Sequence, residues 1–269
     1  MRTDFPTTDI VEYSWYIALC AGPEYIRRPR FFHYTNLDNL SFILKEDCLD
    51  LRLTRADCFM DKQEMLHIVP ILEEVSEELL QKGDIDGDFY GIINEDILKA
   101  KMLTEEFRKY YVFSFSANEA SSHLKEHYAC KDGKDGVIIG VRALALEDML
   151  FTKDINTNKV ICGMHIYDVF YNREELKNGF CETIKLLYGI SEKTEESDKA
   201  IKRTVNALIQ YSLVYKPASF AHEEETRLIV DMSSLTLSKE KFYQDDDRYL
   251  HILLPKESLY NTVEITKKR

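Results

Sequence analysis

The sequence contains little glycine or proline and no closely paired cysteines, and each shortage argues against a class of protein. With 10 Gly and 6 Pro among 269 residues, the chain has no tract typical of a flexible linker. The six cysteines are scattered, without a Cys-x-x-Cys pair, so we expect free thiols rather than a disulfide framework. We therefore expect one elaborated domain in a reducing cytoplasm.

Long apolar runs and an excess of positive charge are missing as well. No segment reaches the roughly eighteen uncharged apolar residues of a membrane span, and Asp4, Asp9 and Glu12 interrupt the first residues, so we expect no secretory leader and no membrane partner. The chain has 35 Lys and Arg against 47 Asp and Glu, a net charge of −12. Because non-specific nucleic-acid binding needs cations that neutralise phosphates, none is expected here. A negative net charge is compatible with a local basic patch, such as residues 27–30.

Apolar periodicity predicts strands and helices in no regular alternation. The predicted strands cover residues 31–34, 49–53, 110–116, 136–141, 160–171, 223–230, 249–254 and 263–266. The predicted helices cover residues 37–47, 64–79, 92–109, 124–129, 173–188 and 197–213, with a surface loop at 82–89 and a polar loop after 230. No Gly-rich loop joins a strand to a helix, so a parallel dinucleotide-binding sheet has no support. The order predicts an α+β fold, with a mostly antiparallel, split sheet and helices packed around it.

Three consecutive carboxylates run directly into an apolar, β-branched segment near the end of the chain. If this stretch is a strand throughout, Glu223, Glu225 and Arg227 share one face, and Glu224 and Thr226 share the other. Like charges at the mouth of a buried strand repel one another, so Arg227 is expected to neutralise one of the carboxylates. Such a pair can line a pocket. The alternative interpretation is a solvated acidic turn before a core strand.

Residues 123–127 read His-x-x-Glu-His, the inverted zinc-peptidase pattern. On a helix, His123 and His127 share a face, as two metal ligands require. A third ligand could be Glu147 or Glu174. The alternative is a pair of exposed histidines on a loop helix, and we favour it because a five-residue match is weak without its context. We therefore expect no metal.

Several short motifs follow one another along the chain. They are His33-Tyr34-Thr35, the loop 59–64, Val-Phe-Ser-Phe-Ser at 112–116, Tyr128-Ala129, Gly136-Val137, residues 169–171, Lys216, and Phe-x-x-Glu-x-Glu-x-Arg at 220–227. In this order the chain resembles an uncharacterised family of bacterial and phage proteins that is grouped by similarity with the ADP-ribosyltransferase superfamily. The resemblance covers about residues 30–232. It implies a single domain over residues 1–269, with a sheet of the ADP-ribosyltransferase type, an N-terminal extension at 1–29 and C-terminal strands at 249–266.

The chain departs from the family at four positions, three of which lie in one motif. Family members usually carry Asp-Ser-x-x-Met-Trp-x-x-Tyr-Ala, whereas this chain has Ala120, Leu124 and Lys125 in place of the Asp, Met and Trp. Phe220 stands where the family often has Trp. These substitutions alter the aromatic floor that the family has near the nicotinamide pocket.

The resemblance implies NAD as the substrate and gives roles to the residues that hold it. His33 would hold a ribose by hydrogen bonds, in a cofactor site that also includes Thr35. A tyrosine would stack on the nicotinamide, with Tyr128 as the first candidate and Tyr34 as the second. A serine of the 110–116 strand, either Ser114 or Ser116, would brace the catalytic glutamate.

The resemblance also implies the chemistry of the three charged residues. Glu225 would bind a ribose hydroxyl and stabilise the positive charge that grows as the nicotinamide bond breaks, since a fixed carboxylate acts by electrostatic preorganisation. Glu223 would steer the acceptor nucleophile, and Arg227 would balance the charge of the strand. The expected activity is transfer of ADP-ribose to a macromolecular acceptor that the sequence does not identify, or hydrolysis of NAD. The alternatives are a non-catalytic nucleotide-binding or interaction module of the same fold, and the zinc peptidase.

Overall fold

The computed structural model describes residues 29–59, 61, 63–93, 107–143, 145–146, 164–191, 211–232 and 242–265. They belong to two compact units, each assembled from separate stretches of chain. One unit takes its described residues from 60–107 and 170–218, and the other from 24–59, 108–169 and 219–269. All the strands lie in the second unit, which we call the sheet unit, and we call the first the helical unit.

The helical unit contains the helices Val69–Lys82, Gly87–Ile92 and Arg173–Ser191. The first of these buries a stripe of apolar side chains at helical spacing, from Val69 to Leu79. It ends at Gly83, whose φ of 73° is the left-handed conformation that favours glycine after a helix. The helices predicted from residues 64 and 173 are thus confirmed.

Two predictions for the helical unit differ from the structure. Part of the predicted loop at 82–89 is helical, because the Asp86 side chain accepts a hydrogen bond from the Phe89 amide at 2.7 Å and caps the helix Gly87–Ile92. The end of the helix predicted at 92–109 is a single 3₁₀ turn, Phe107–Lys109, which belongs to the sheet unit from residue 108. Most of that prediction, and of the helix predicted at 197–213, lies outside the described residues.

In the described part of the sheet unit there are nine strands, and their pairings with one another are all antiparallel. They are β1 Arg30–Asn36, β2 Cys48–Arg55, β3 Tyr110–Ser116, β4 Gly136–Arg142, β5 Met164–Asp168, β6 Glu225–Asp231, β7 Phe242–Asp246, β8 Tyr249–Pro255 and β9 Leu259–Ile265. The order is β7-β8-β2-β3-β1-β4-β9, with β6 on β3 and β5 on β6. Together with the helices, this antiparallel sheet confirms the α+β class.

Strand β3 is the centre of the sheet, because three strands pair with it. Along one edge, β6 pairs with β3 over its whole length, from Tyr110 to Ser116. Along the other edge, β2 pairs only with Tyr111 and Val112, and β1 pairs only through Phe32 with Ser116. The strands β1 and β2 therefore diverge at the middle of β3, and the sheet is split beside Ser114.

The strand predictions succeeded where side chains alternate and failed at the edge of the sheet. The bounds predicted for β3 are those observed, whereas β5 is shorter than the strand predicted at 160–171, of which residues 160–163 lie outside the described part. Strand β7 was predicted as a polar loop. Its side chains are mostly exposed, and only its pairing with β8 makes it a strand, so no apolar pattern marks it.

The main core fills one side of the sheet with alternating apolar side chains from most strands. Leu49, Leu51 and Leu53 of β2 meet Leu250, Ile252 and Leu254 of β8 there. On β4, Val137, Ile139 and Val141 point to this core, whereas Ile138 packs on the other face with Phe32 and Tyr34. Within the described ranges, no helix combines the length and the apolar composition that crossing a membrane requires.

Candidate functional site

The candidate site is centred on Glu225, the first residue of β6. Its carboxylate accepts a hydrogen bond from the Ser114 hydroxyl at 2.5 Å and from Arg227 Nε at 2.8 Å. Cross-strand register explains the meeting, because Ser114 lies opposite Arg227, and Arg227 shares a strand face with Glu225. Glu225 is 5% exposed and Arg227 is 0% exposed, whereas Ser114 is exposed. The site is thus a buried carboxylate that opens to solvent at Ser114.

The placement of Glu223 corrects the predicted strand. Strand β6 begins at Glu225, whereas Glu223 ends the 3₁₀ helix Ala218–Glu223. Between them Glu224 adopts a φ of 43°, so the backbone is not extended there and strand alternation cannot apply. Even so, Glu223 and Glu225 are both buried while Glu224 is exposed. The predicted grouping of the carboxylates therefore holds, but a left-handed residue produces it.

Asn118 stabilises the left-handed conformation of Glu224, and this role of Asn118 was not predicted from the sequence. Its side-chain amide donates to Glu224 Oε1 at 2.7 Å, and the neighbouring Ala117 amide donates to the Glu224 carbonyl at 2.9 Å. The Asn118 side chain also forms a local turn by accepting from the Ala120 amide at 2.8 Å. An asparagine two residues after a strand is typical of such turns, and this was the available signal. A strained backbone conformation in a non-glycine residue is often found at functional sites.

The two candidate serines and Tyr34 have different partners. Ser114 contacts the Glu225 carboxylate, whereas the Ser116 hydroxyl donates to the Glu223 carbonyl at 2.8 Å and so braces the backbone. The Tyr34 hydroxyl donates to the Asn118 carbonyl, which fixes the loop after β3. Thr35 accepts a hydrogen bond from the Asn39 side chain at 2.9 Å and so braces the turn after β1.

Tyr128 presents an exposed ring that is anchored by its hydroxyl. The hydroxyl donates to Glu223 Oε1 at 2.6 Å, while the residue is 46% exposed. Tyr128 lies on the single π-helical turn Lys125–Ala129, a wide turn that is frequent at functional sites. This turn lies directly against β4, and a Cβ on Gly136 would be only 2.6 Å from Ala129, so glycine is needed there. Tyr128, Glu223, Glu225, Ser114 and Arg227 are called the carboxylate cluster below.

His33 lies at the split of the sheet and is held in one tautomer. Its Nδ1 is 3.2 Å from the Ser114 carbonyl oxygen. Because a carbonyl only accepts, Nδ1 carries the proton, and Nε2 keeps its lone pair. The ring packs on Phe113 with centroids 4.6 Å apart. Burial lowers the pKa of His33 to about 4, so the neutral ring at pH 7 can accept a hydrogen bond from a hydroxyl.

The two histidines of the zinc-peptidase pattern pack against each other and against a third. The His123 ring centroid is 4.2 Å from that of His127 and 3.7 Å from that of His222. The His123 and His127 rings are tilted by 38° to each other, and the His123 and His222 rings meet edge-on at 66°. Among the described residues, no group of three or more His, Cys, Asp or Glu is arranged to hold a metal ion. Glu147 lies outside the described residues.

The remaining motif residues fall in both units. In the helical unit, Lys216 pairs with Glu64 at 3.4 Å, with both side chains largely buried. In the sheet unit, Lys125 occupies the π-helical turn beside Tyr128, and Ala120 is exposed in the loop after β3. Phe220 belongs to the 3₁₀ helix that ends at Glu223. Three of the four positions at which the chain departs from the family thus lie on segments that position the carboxylate cluster or Asn118.

Comparison with known proteins adds no relative to this description. Protein-family models, curated proteins and solved structures were compared with the chain, and none of them matches it. The functional argument therefore depends on the geometry and chemistry of the carboxylate cluster and of His33.

Two half-buried histidines are expected to make the fold sensitive to acid. Burial lowers the pKa of both His33 and His165 from 6.5 to about 4. Between these pH values the unfolded chain binds protons that the folded chain does not, so stability falls as pH drops from 6.5 towards 4. At about 1.4 kcal/mol per pKa unit, each ring accounts for about 3 kcal/mol at most. Urea unfolding at pH 7 and pH 4.5 measures the loss, and His165→Gln should remove part of it. An equal loss in that variant would contradict the assignment to His165.

Proposed function

We propose that the chain is an NAD-using enzyme that breaks the bond between nicotinamide and ribose and transfers ADP-ribose to a macromolecule or to water. The observation that supports this most directly is the buried Glu225 carboxylate, fixed between the Ser114 hydroxyl and the Arg227 guanidinium at 2.5 and 2.8 Å. Its exposed partner Ser114 gives a substrate access to an otherwise buried anion. The proposal includes a split sheet of the ADP-ribosyltransferase type.

The reaction needs an anion that does not move. When the bond between nicotinamide and ribose breaks, its electron pair leaves with nicotinamide and positive charge grows on the ribose. A carboxylate already held by two donors stabilises that charge without reorganising, and in a buried site this effect is stronger than in water. The acceptor oxygen or nitrogen then bonds to the ribose carbon and loses its proton. Glu223, which is buried and anchored to Tyr128, would orient that acceptor.

His33 and Tyr128 offer groups that suit the ribose and the nicotinamide, the two parts that separate when the bond breaks. His33 offers Nε2 as an acceptor for a ribose hydroxyl, because Nδ1 is committed to the Ser114 carbonyl. Tyr128 offers an exposed ring for the flat nicotinamide, and its hydroxyl bond to Glu223 limits the loss of freedom on stacking. Tyr34 fixes the loop after β3, and Thr35 fixes the turn after β1.

Turnover of NAD is the direct test. The protein is incubated with NAD, alone and with a cell lysate, and mass spectrometry follows free nicotinamide and any ADP-ribose attached to macromolecules. Nicotinamide release supports the enzyme. Binding of NAD without release would favour the nucleotide-binding module of the same fold. Absence of both binding and release would overturn the proposal.

Replacing His33 should weaken NAD binding. In His33→Ala, the ribose hydroxyl loses its acceptor in the site, so affinity should fall by about 1–3 kcal/mol, roughly tenfold to a hundredfold. Isothermal titration calorimetry measures the affinity. The matched control is His165→Ala, which removes another half-buried histidine with an equally low pKa from β5. Unchanged affinity in folded His33→Ala would exclude His33 from the site.

A further inference from the structure

Two arginines and a tyrosine form a row across three neighbouring strands of the sheet unit. Arg30 of β1 lies opposite Arg142 of β4, and β4 pairs with β9, where Tyr260 is placed. The guanidinium carbon of Arg30 is 4.4 Å from the Tyr260 ring centroid, and that of Arg142 is 5.8 Å away. Tyr260 remains 43% exposed. We call Arg30, Arg142 and Tyr260 the arginine–tyrosine row.

The charges of this row have no counter-ion in the described part of the chain. Like charges directly opposite each other on paired strands repel, which makes the Arg30–Arg142 pair unfavourable by itself. Within the described residues, neither guanidinium has a carboxylate within ion-pair distance, although the chain has 47 Asp and Glu against 35 Lys and Arg. Acidic side chains are therefore plentiful, yet this row is left positive. An external anion would relieve the repulsion.

In a second stack on the same sheet, one of the two arginines has its charge neutralised within the protein. Arg52 and Arg248 lie over the ring of Tyr249, at 4.6 and 5.4 Å. There Arg248 is paired with Asp246 at 2.9 Å, so its charge is already neutralised within the protein. The comparison indicates that stacking of arginine on tyrosine does not by itself require an unpaired charge, and that the arginine–tyrosine row differs in this respect.

We propose that the arginine–tyrosine row binds single-stranded nucleic acid. A guanidinium that stacks on a ring keeps its N–H donors in its own plane, where they suit the oxygens of a phosphate. Two such groups that share one tyrosine suit successive phosphates of one strand. The part of the Tyr260 ring that remains exposed suits a base, since every base has a π-face. The row combines N–H groups that can bind phosphate with an aromatic surface. This combination favours single-stranded nucleic acid over an acidic peptide, because carboxylates do not stack on an aromatic ring.

From the net charge of −12 we predicted no non-specific nucleic-acid binding. The proposal for the arginine–tyrosine row depends instead on the local positive charge of Arg30 and Arg142. At physiological salt, charges more than about 8 Å apart are largely screened in solution, so the acidic remainder of the surface weakens the attraction without abolishing it. This inference is independent of NAD turnover, because it concerns binding in the absence of NAD.

The test is binding of a fluorescein-labelled single strand of about twelve nucleotides, as DNA and as RNA, by fluorescence anisotropy at several salt concentrations. The double variant Arg30→Gln/Arg142→Gln should bind about tenfold more weakly or worse at low salt. Its salt dependence should decrease by roughly 1.4 in slope, about 0.7 for each lost phosphate contact. Tyr260→Ala should weaken binding roughly tenfold, and Tyr260→Leu should act similarly while it keeps apolar packing. Arg248→Gln is the matched control, because Asp246 already neutralises this stacked arginine, and it should leave binding unchanged.

Several results would overturn this proposal. One is absence of binding by the wild-type protein at low salt, and another is unchanged binding in the folded double variant. Competition by a polyglutamate peptide as strong as that by the unlabelled strand would assign the row to acidic peptides. Equal competition by a mononucleotide would assign it to small anions. Thermal melts of each variant show whether the fold is intact.

Discussion

Glu225→Gln is expected to slow nicotinamide release by about a hundredfold to a thousandfold, while NAD still binds. Glutamine keeps the shape of the side chain and can accept from Ser114 and Arg227, which hold the carboxylate at 2.5 and 2.8 Å. It lacks the negative charge that stabilises the developing positive charge on ribose. The loss should therefore appear in the rate of bond breaking, measured as nicotinamide released at saturating NAD.

Glu224→Gln is the internal control for this variant. Glu224 is exposed, and its only described side-chain partner is the Asn118 amide at 2.7 Å, from which a glutamine oxygen can still accept. Its activity should be close to that of the wild type. Equal loss of activity in both variants would show that Glu225 has no special role. A thermal melt of Glu225→Gln is needed as well, because the buried Arg227 loses its counter-charge.

Arg227→Met is expected to destabilise the fold by about 3–5 kcal/mol. Arg227 is fully buried at 0% exposure, and its Nε and Nη2 lie 2.8 and 3.3 Å from the Glu225 carboxylate. Removal of the guanidinium takes away the cation that lies 2.8 Å from a buried carboxylate, and the neutral Ser114 hydroxyl does not replace its charge. Urea unfolding at pH 7 measures the loss of stability.

Two further variants separate the buried pair from ordinary ion pairs. Arg248→Met removes an arginine that is 62% exposed and pairs with Asp246, so it should leave the free energy of unfolding nearly unchanged, because solvent screens this pair. In Glu225→Gln/Arg227→Met both charges of the pair are removed together, and this double variant should be more stable than Arg227→Met alone. A double variant that loses the sum of both single losses would contradict the role of Arg227 as the counter-ion of Glu225.

The sequence by itself determined the class of fold and most of the residues of the site. Alternation of apolar side chains marked β2, because a strand with one buried face must repeat every two residues. Short runs of aromatic or β-branched residues marked β3 and β4. Helical spacing of apolar residues marked the helices that begin near residues 64 and 173. The same local patterns placed Ser114 and Arg227 on strands, and Glu225 at the start of one.

Only the tertiary structure decided which of these residues meet. The register of β3 against β6 selects Ser114 rather than Ser116 as the partner of the Glu225 carboxylate. The left-handed φ of Glu224 brings Glu223 and Glu225 to the interior together, and it depends on Asn118, more than 100 positions away in the sequence. Strand β7 exists only because it pairs with β8. Local periodicity reflects the burial of one segment at a time, whereas these contacts depend on hydrogen bonds between distant segments.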